Sequence, residues 1–121
     1  MAREILVVDD SLTVRVQLRS MLLAAGYAVT EASDGQAALE KATAKSFDLV
    51  ITDLNMPELD GFELIKSLRL HPKTVALPII VLSTRDADQD LDRAIALGAN
   101  SYLNKPVQQA ELVTAVTRHL G

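Results

Sequence analysis

Polar side chains suited to metal and phosphate chemistry occur in a few short clusters of this sequence. Asp9 and Asp10 form an acidic pair, and Asp53 is a further acid that follows an apolar run. Two hydroxyls and an ammonium group come later, at Ser83, Thr84 and Lys105. Acids held close together repel one another unless protons or a cation neutralise them. All-oxygen ligation favours Mg²⁺ or a similar hard cation, which also accepts phosphate oxygens.

Taken singly, these clusters have ordinary structural explanations. An Asp-Asp pair before a helix is typical of an N-cap and of a favourable charge at the positive end of the helix dipole. Adjacent Ser and Thr residues before a helix are typical of capping, and an isolated lysine is usually solvated. A chemical site is therefore indicated only if the fold brings the clusters to one place.

The apolar pattern predicts an alternation of strands and helices. Short apolar runs predict buried strands over residues 5–8, 49–52 and 79–82, and residues 27–32 and 101–104 predict a weaker and a short strand. Apolar spacing of three and four residues predicts helices over residues 12–25, 35–44, 62–70, 88–97 and 111–120. Ala25 and Val113 are expected on the apolar stripes of the first and last helix.

Capping residues support these boundaries. Ser11 is a candidate N-cap of the first helix, and Gly26 is placed to end it in a left-handed conformation. Gly98 is a similar candidate C-cap of the fourth helix. His71 precedes a proline, which disfavours helical backbone there and ends the third helix.

Strand–helix units joined by short connections predict an α/β fold with a doubly wound, five-stranded parallel sheet, (βα)5. The carboxyl ends of such strands share one edge, where ligands bind. Asp53, after a central strand, is then the candidate nucleophile, since aspartate can form a covalent aspartyl-phosphate. Asp9 and Asp10 are candidate metal ligands, and Lys105 and Ser83 candidate contacts for phosphoryl oxygens. His71 and His119 are expected to face solvent.

Composition limits the other function classes. The length of 121 residues fits one domain, residues 1–121. Lys and Arg number 12 and Asp and Glu 16, a formal charge of −4, which argues against broad binding to nucleic acid or anionic membranes. The absence of cysteine excludes disulfides, thiolate metal sites and a thiol nucleophile. No signal-peptide pattern or membrane-length apolar run occurs, so a soluble, cytoplasmic protein is expected.

Together these motifs resemble the receiver domain of two-component response regulators, of the single-domain chemotaxis type. The resemblance extends from Ile5 to Leu120, and its motifs occur in order at the predicted strand ends. They are Asp9-Asp10, Asp53 with Asn55-Met56-Pro57 and Asp60-Gly61, Ser83, and Lys105-Pro106. The resemblance implies a flavodoxin-like fold with strand order 2-1-3-4-5.

The resemblance also implies a role for each site residue. Asp53 would be the phosphoacceptor for a histidine kinase, a phosphotransfer domain or a small phosphodonor. Mg²⁺ would be bound by the carboxylates of Asp10 and Asp53, by the backbone carbonyl of Asn55, and by Asp9 through water. Lys105, before a cis proline, would pair with the phosphoryl oxygens.

The remaining implied roles concern switching and phosphoryl lifetime. Ser83, with Thr84 beside it, would supply the hydroxyl that moves towards the phosphoryl group, while Tyr102 rotates inward. Asn55 and Arg85 would tune the hydrolysis of the aspartyl-phosphate. Output would be a protein contact through the fourth helix, fifth strand and fifth helix, without enzymatic turnover, direct nucleic-acid binding or membrane insertion. The protein would be a monomer or a phosphorylation-dependent dimer.

Two departures from the family pattern affect the switch. Ser83 stands where many members have threonine, so the hydroxyl is kept but a methyl group that restricts its rotamer is lost. Val107 stands where phenylalanine is common, so packing near the last helix is expected to differ.

Three alternatives remain at this stage. The start at Met1 and the end at Gly121 favour a free-standing protein, but a domain excised from a hybrid histidine kinase has the same pattern. A haloacid dehalogenase-like phosphohydrolase also uses a strand-end aspartate with Mg²⁺, although it needs a second aspartate where this chain has Asn55. A flavodoxin-like cofactor binder would need a phosphate-binding loop after the first strand, where this chain is acidic.

Overall fold

The sheet has five parallel strands in the order β2-β1-β3-β4-β5. A computed structural model describes residues 2–56, 59–83 and 88–120. The strands are β1 (Glu4–Val8), β2 (Ala28–Ala32), β3 (Leu49–Asp53), β4 (Ile79–Ser83) and β5 (Ser101–Asn104). The helices are α1 (Leu12–Ala24), α2 (Gly35–Ala44), α3 (Gly61–Leu70), α4 (Asp88–Leu97) and α5 (Gln109–Leu120). The predicted fold class and strand order are confirmed.

The core consists of two apolar layers, one on each face of the sheet. Side chains alternate along each strand, so Leu6 and Val8 of β1 face α2 and α3 while Ile5 and Val7 face α1 and α5. This two-sided burial explains the continuous apolar runs in the central strands. At the sheet edge, β5 is only four residues long, and Leu103 is its single buried residue.

Helix ends follow the capping residues of the sequence. The Ser11 hydroxyl accepts a hydrogen bond from Val14 N at 3.3 Å at the start of α1. Gly26 and Gly98 have φ of 95° and 124°, conformations that L side chains rarely adopt, just after α1 and α4. His71 has extended backbone and ends α3 before the proline. The predicted caps and the stop at His71 are therefore confirmed.

Some details differ from the sequence-based expectations. Ala25 is exposed because it follows the last turn of α1 rather than continuing its apolar stripe. On α5, Ala115 packs against the core while Val113 is only half-buried and lies outside both core clusters. The expectation that His119 faces solvent is wrong, because it is half-buried with Nε2 2.9 Å from the Ser101 hydroxyl. His71 is exposed, as expected.

Close backbone approach at Gly61 sets the start of α3 against the end of β3. Gly61 N donates to Leu54 O at 3.0 Å, and the Asp60 carboxylate caps the helix by accepting from Glu63 N at 2.9 Å. A Cβ at Gly61 would overlap the carbonyl oxygen of Asp53 and the Cα of Leu54. The backbone that carries Asp53 therefore requires glycine at this position.

We expect Gly61→Ala to destabilise the fold by about 3 kcal/mol, because the backbone around Asp53 must shift to admit the methyl group. Gly26→Ala is the control, since its Cβ meets no atom within 4 Å and only its φ of +95° is unfavourable. That change should cost about 1 kcal/mol. Urea unfolding measures both, and equal losses would contradict the close-approach explanation.

Candidate functional site

The candidate site lies at the carboxyl edge of the sheet, where β1 and β3 are neighbours. Val8 is in register with Thr52, so the residues that follow them, Asp9 and Asp53, extend from adjacent strand ends. On the other side of β3, Asp53 is in register with Leu82 of β4. The parallel topology therefore brings together acids that are far apart in the sequence.

Asp9, Asp10 and Asp53 form one acidic cluster. Each offers a carboxylate oxygen, and these three oxygens lie within 4.8 Å of one another. Asp9 is fully buried and Asp53 is 8% exposed, whereas Asp10 is exposed to solvent. The cluster is thus open on one side and surrounded by low-dielectric core on the other.

Backbone hydrogen bonds fix the two buried acids. Asp9 Oδ1 accepts from Ser11 N at 2.9 Å, and Asp9 N donates to Ala32 O at 3.2 Å. Asp53 Oδ1 accepts from Leu54 N at 2.8 Å. Both side chains are therefore oriented before any ligand binds.

Lys105 reaches the cluster from the loop after β5. Its Nζ lies 2.9 Å from Asp9 Oδ2 and 3.3 Å from Asp53 Oδ2, and its side chain is 24% exposed. The backbone N of Lys105 donates to Ser83 O at 2.7 Å, and the following peptide bond to Pro106 is cis. One ammonium group thus partly neutralises two acids.

Burial raises the pKa of Asp53, and the charge of Asp9 raises it further, while Lys105 and the hydrogen bond from Leu54 oppose the shift. Burial alone would lower the pKa of Lys105, but its contacts with Asp9 and Asp53 outweigh burial and raise that pKa. The cluster therefore has an excess of negative charge that one lysine does not remove.

The donor set fits a hard divalent cation. Asp9 Oδ2 is buried, and its cationic partner is Lys105 Nζ at 2.9 Å. That lysine is shared with Asp53, so the acidic cluster keeps negative charge that a further cation can neutralise. The three acids supply only oxygen ligands, which suits Mg²⁺ better than zinc.

The other predicted site residues occupy different surroundings. Ser83 is 4% exposed at the end of β4, and Asn55 is exposed just beyond Asp53. Tyr102 is 49% exposed on β5. Thr84, Arg85 and Pro57 lie outside the described residues.

Sequence analysis missed Arg15 as a neighbour of the site. Its Nη1 donates to the carbonyl oxygen of Asp9 at 2.7 Å, and its Nε contacts Glu31 Oε1 at 3.2 Å. An arginine on an amphipathic helix is usually solvated, and no spacing rule pairs it with an acid on another strand. Only the packing of α1 beside β2 brings these groups together.

Comparison with known proteins agrees with this geometry. A family profile described as the response regulator receiver domain matches residues 5–117. The alkaline phosphatase synthesis transcriptional regulatory protein PhoP of Bacillus subtilis is 38% identical over 112 residues, which are 93% of this chain. The match covers 46% of PhoP, so this chain corresponds to about half of that relative.

Solved structures with the same fold include a chemotaxis response regulator and the receiver domain of a sensor histidine kinase. The chemotaxis response regulator CheY4 of Vibrio cholerae is 36% identical with a TM-score of 0.92, and the match covers 98% of each chain. The receiver domain of the sensor histidine kinase PA1611 from Pseudomonas aeruginosa is 31% identical with a TM-score of 0.93. That match covers 100% of this chain and 99% of the other, whose active-site cleft coordinates a magnesium ion.

The raised pKa of Asp53 means that its ionised form is disfavoured in the metal-free fold. Asp53→Asn should therefore raise the thermal midpoint at neutral pH by a few degrees when a chelator is present. As the pH falls through the raised pKa of Asp53, the unaltered protein protonates this group and the advantage of the variant should disappear. Calorimetry across pH measures this difference, and a variant less stable at neutral pH would contradict it.

Lys105→Met leaves Asp9 and Asp53 without their cation. We expect a loss of about 2 kcal/mol at neutral pH, less than for a fully buried ion pair because the lysine is partly exposed. The loss should shrink as the pH falls through the raised pKa of Asp53, because that carboxylate then becomes protonated. Lys66→Met removes an exposed lysine of α3 and should change the free energy of unfolding little; equal effects of the two variants would contradict this account.

Proposed function

The chain belongs to the response regulator receiver domain family, and we propose that Asp53 is its phosphoacceptor. The donor would be the phosphohistidine of a histidine kinase or a phosphotransfer domain, or a small phosphodonor such as acetyl phosphate. The main support for this proposal is that the Asp53 carboxylate lies beside the Lys105 ammonium and within an acidic cluster suited to Mg²⁺. The single-domain chemotaxis type is supported by the likeness to CheY4.

In the proposed reaction, a carboxylate oxygen of Asp53 forms a bond to phosphorus. The phosphorus–nitrogen bond of phosphohistidine breaks, and its electron pair returns to the imidazole, which takes a proton from water. Asp53 must be ionised to attack, and Lys105 favours that form despite the burial that raises the Asp53 pKa. The Lys105 ammonium would then pair with the transferred phosphoryl oxygens.

The metal would be held by the carboxylates of Asp9, Asp10 and Asp53 and by the backbone carbonyl of Asn55. Asp9 would act through a water molecule, and the other carboxylates directly. When bound, Mg²⁺ supplies positive charge that offsets both the acids and the phosphoryl oxygens. This assignment is supported by the three carboxylates, whose oxygens lie within 4.8 Å of one another and share one lysine between Asp9 and Asp53.

Switching would involve Ser83 and Tyr102. Ser83, with Thr84, would bind the phosphoryl group through its hydroxyl, and Tyr102 would rotate inward from its exposed position. Val81 and Tyr102 are in register on adjacent strands, so β4 and β5 connect the two events. Phosphorylation would thereby favour one of two pre-existing arrangements.

The output surface would be the face formed by α4, β5 and α5. It carries a surface cavity of about 380 Å³ whose lining includes Tyr102, Glu111, Thr114 and Arg118. A cavity whose shape depends on Tyr102 would bind a protein partner differently in the two states. Asn55 and Arg85 would set the lifetime of the signal through the access of water to phosphorylated Asp53.

The family is a signalling module rather than a classical enzyme, and its match along the chain favours this function over the hydrolase and flavin-binding alternatives. The same chemistry would operate in a free-standing regulator and in a domain joined to a kinase. Among the described residues, no helix is long and apolar enough to cross a membrane. We propose a cytoplasmic protein that acts as a monomer or as a phosphorylation-dependent dimer.

The deciding experiment is intact-protein mass spectrometry after incubation with acetyl phosphate and Mg²⁺. The unaltered protein should gain the mass of one phosphoryl group, and Asp53→Asn should gain none. Asp34→Asn is the matched control, since asparagine can still cap α2 and the position lies outside the acidic cluster. Equal phosphorylation of Asp53→Asn would refute Asp53 as the acceptor.

A further inference from the structure

Arg15 links the loop that follows β1 to the end of β2. Its guanidinium donates to the Asp9 carbonyl oxygen at 2.7 Å and contacts Glu31 Oε1 at 3.2 Å. The Arg15 side chain is only 15% exposed, so both contacts are shielded from solvent. The rigid fork of a guanidinium holds two acceptors in fixed geometry, which a single ammonium does not.

The contact with Asp9 acts on two of the acids at once. The Asp9 carbonyl belongs to the peptide unit that also contains the backbone N of Asp10. Because a peptide unit is planar, fixing that oxygen also fixes the direction in which the chain enters Asp10. The backbone N of Asp9 donates to Ala32 O at 3.2 Å, so the main chain of Asp9 is held from both ends.

Glu31 is itself restrained at the end of β2. Its carboxylate lies 3.6 Å from Arg19 as well as contacting Arg15, and its backbone oxygen accepts from Lys41 Nζ. Arg15 therefore connects the acidic loop to a fixed point on the sheet. Asp10 is exposed, so its position depends chiefly on this backbone support.

We propose that Arg15 is a positioning residue that holds the Asp9-Asp10 loop in the geometry needed to bind a divalent cation. This inference rests on the proposed metal site. Charge alone gives the opposite expectation, because a positive guanidinium near the cluster repels a cation. Removal of Arg15 should therefore tighten metal binding if only charge matters and weaken it if positioning dominates.

The test is calorimetric titration of the protein with Mg²⁺, comparing Arg15→Met with the unaltered chain. Loss of a group that orients metal ligands typically weakens binding 10–100-fold, and we expect roughly 10-fold here. Arg19→Met is the matched control. It removes the same charge from the same helix, and it also removes a contact with the Glu31 carboxylate. Within the part of the chain that the structure describes, Arg19 pairs with Glu31 and not with Asp9, so the Mg²⁺ affinity of Arg19→Met should stay unchanged or rise slightly.

Arg15→Lys tests geometry while keeping the charge. A lysine reaches one acceptor at a time, so we expect an affinity between those of Arg15→Met and the unaltered protein. Unfolding measured in the presence of chelator shows whether each variant is folded. If Arg15→Met is not folded, the Mg²⁺ affinity of Arg15→Lys is compared with that of the unaltered protein instead.

Binding by Arg15→Met as tight as that of the unaltered protein, or tighter, would overturn the inference. Equal weakening by Arg19→Met would also overturn it. If the unaltered protein itself does not bind Mg²⁺, the proposed metal site is wrong and the inference is wrong as well. That result differs from one in which the unaltered protein binds Mg²⁺ and only the effect of Arg15 is missing.

Discussion

The concentration of negative charge at one edge of the sheet is the constraint on which the site depends. Two buried acids and one exposed acid meet where a single ammonium group can reach them. Like charges in a low-dielectric setting are unfavourable unless they are paired, and Lys105 pairs them only in part. The resulting deficit of positive charge makes this edge of the sheet suited to a divalent cation.

The fold maintains this arrangement through backbone contacts rather than through side-chain networks alone. Asp9 is held by Ser11 N and Ala32, Asp53 by Leu54 N, and the Lys105 loop by Ser83 O. Each of these hydrogen bonds joins the end of a strand either to the end of an adjacent strand or to the backbone one or two residues further along the chain. The acids therefore remain in place although their mutual repulsion favours separation.

Much of the architecture follows from local sequence signals, whereas contacts between distant elements do not. Ser11, Gly26 and Gly98 marked helix ends correctly because caps depend on nearby residues. The predicted strand ends identified Asp9, Asp53 and Lys105 as candidate site residues, because a parallel sheet places the carboxyl ends of its strands at one edge. The strand order came from the family resemblance, since apolar runs alone do not identify neighbours.

The surroundings of two polar side chains also depend on contacts between distant elements. His119 and Arg15 have polar side chains on amphipathic helices, and such residues are usually solvated, yet tertiary packing half-buries both.

The short fifth strand has a consequence for signalling. Because Leu103 is its only buried residue, the outermost strand contributes little to either apolar layer. Rearrangement of its outward side chains consequently disturbs few interior contacts. Side chains on this edge strand can therefore change position while the folded interior stays intact.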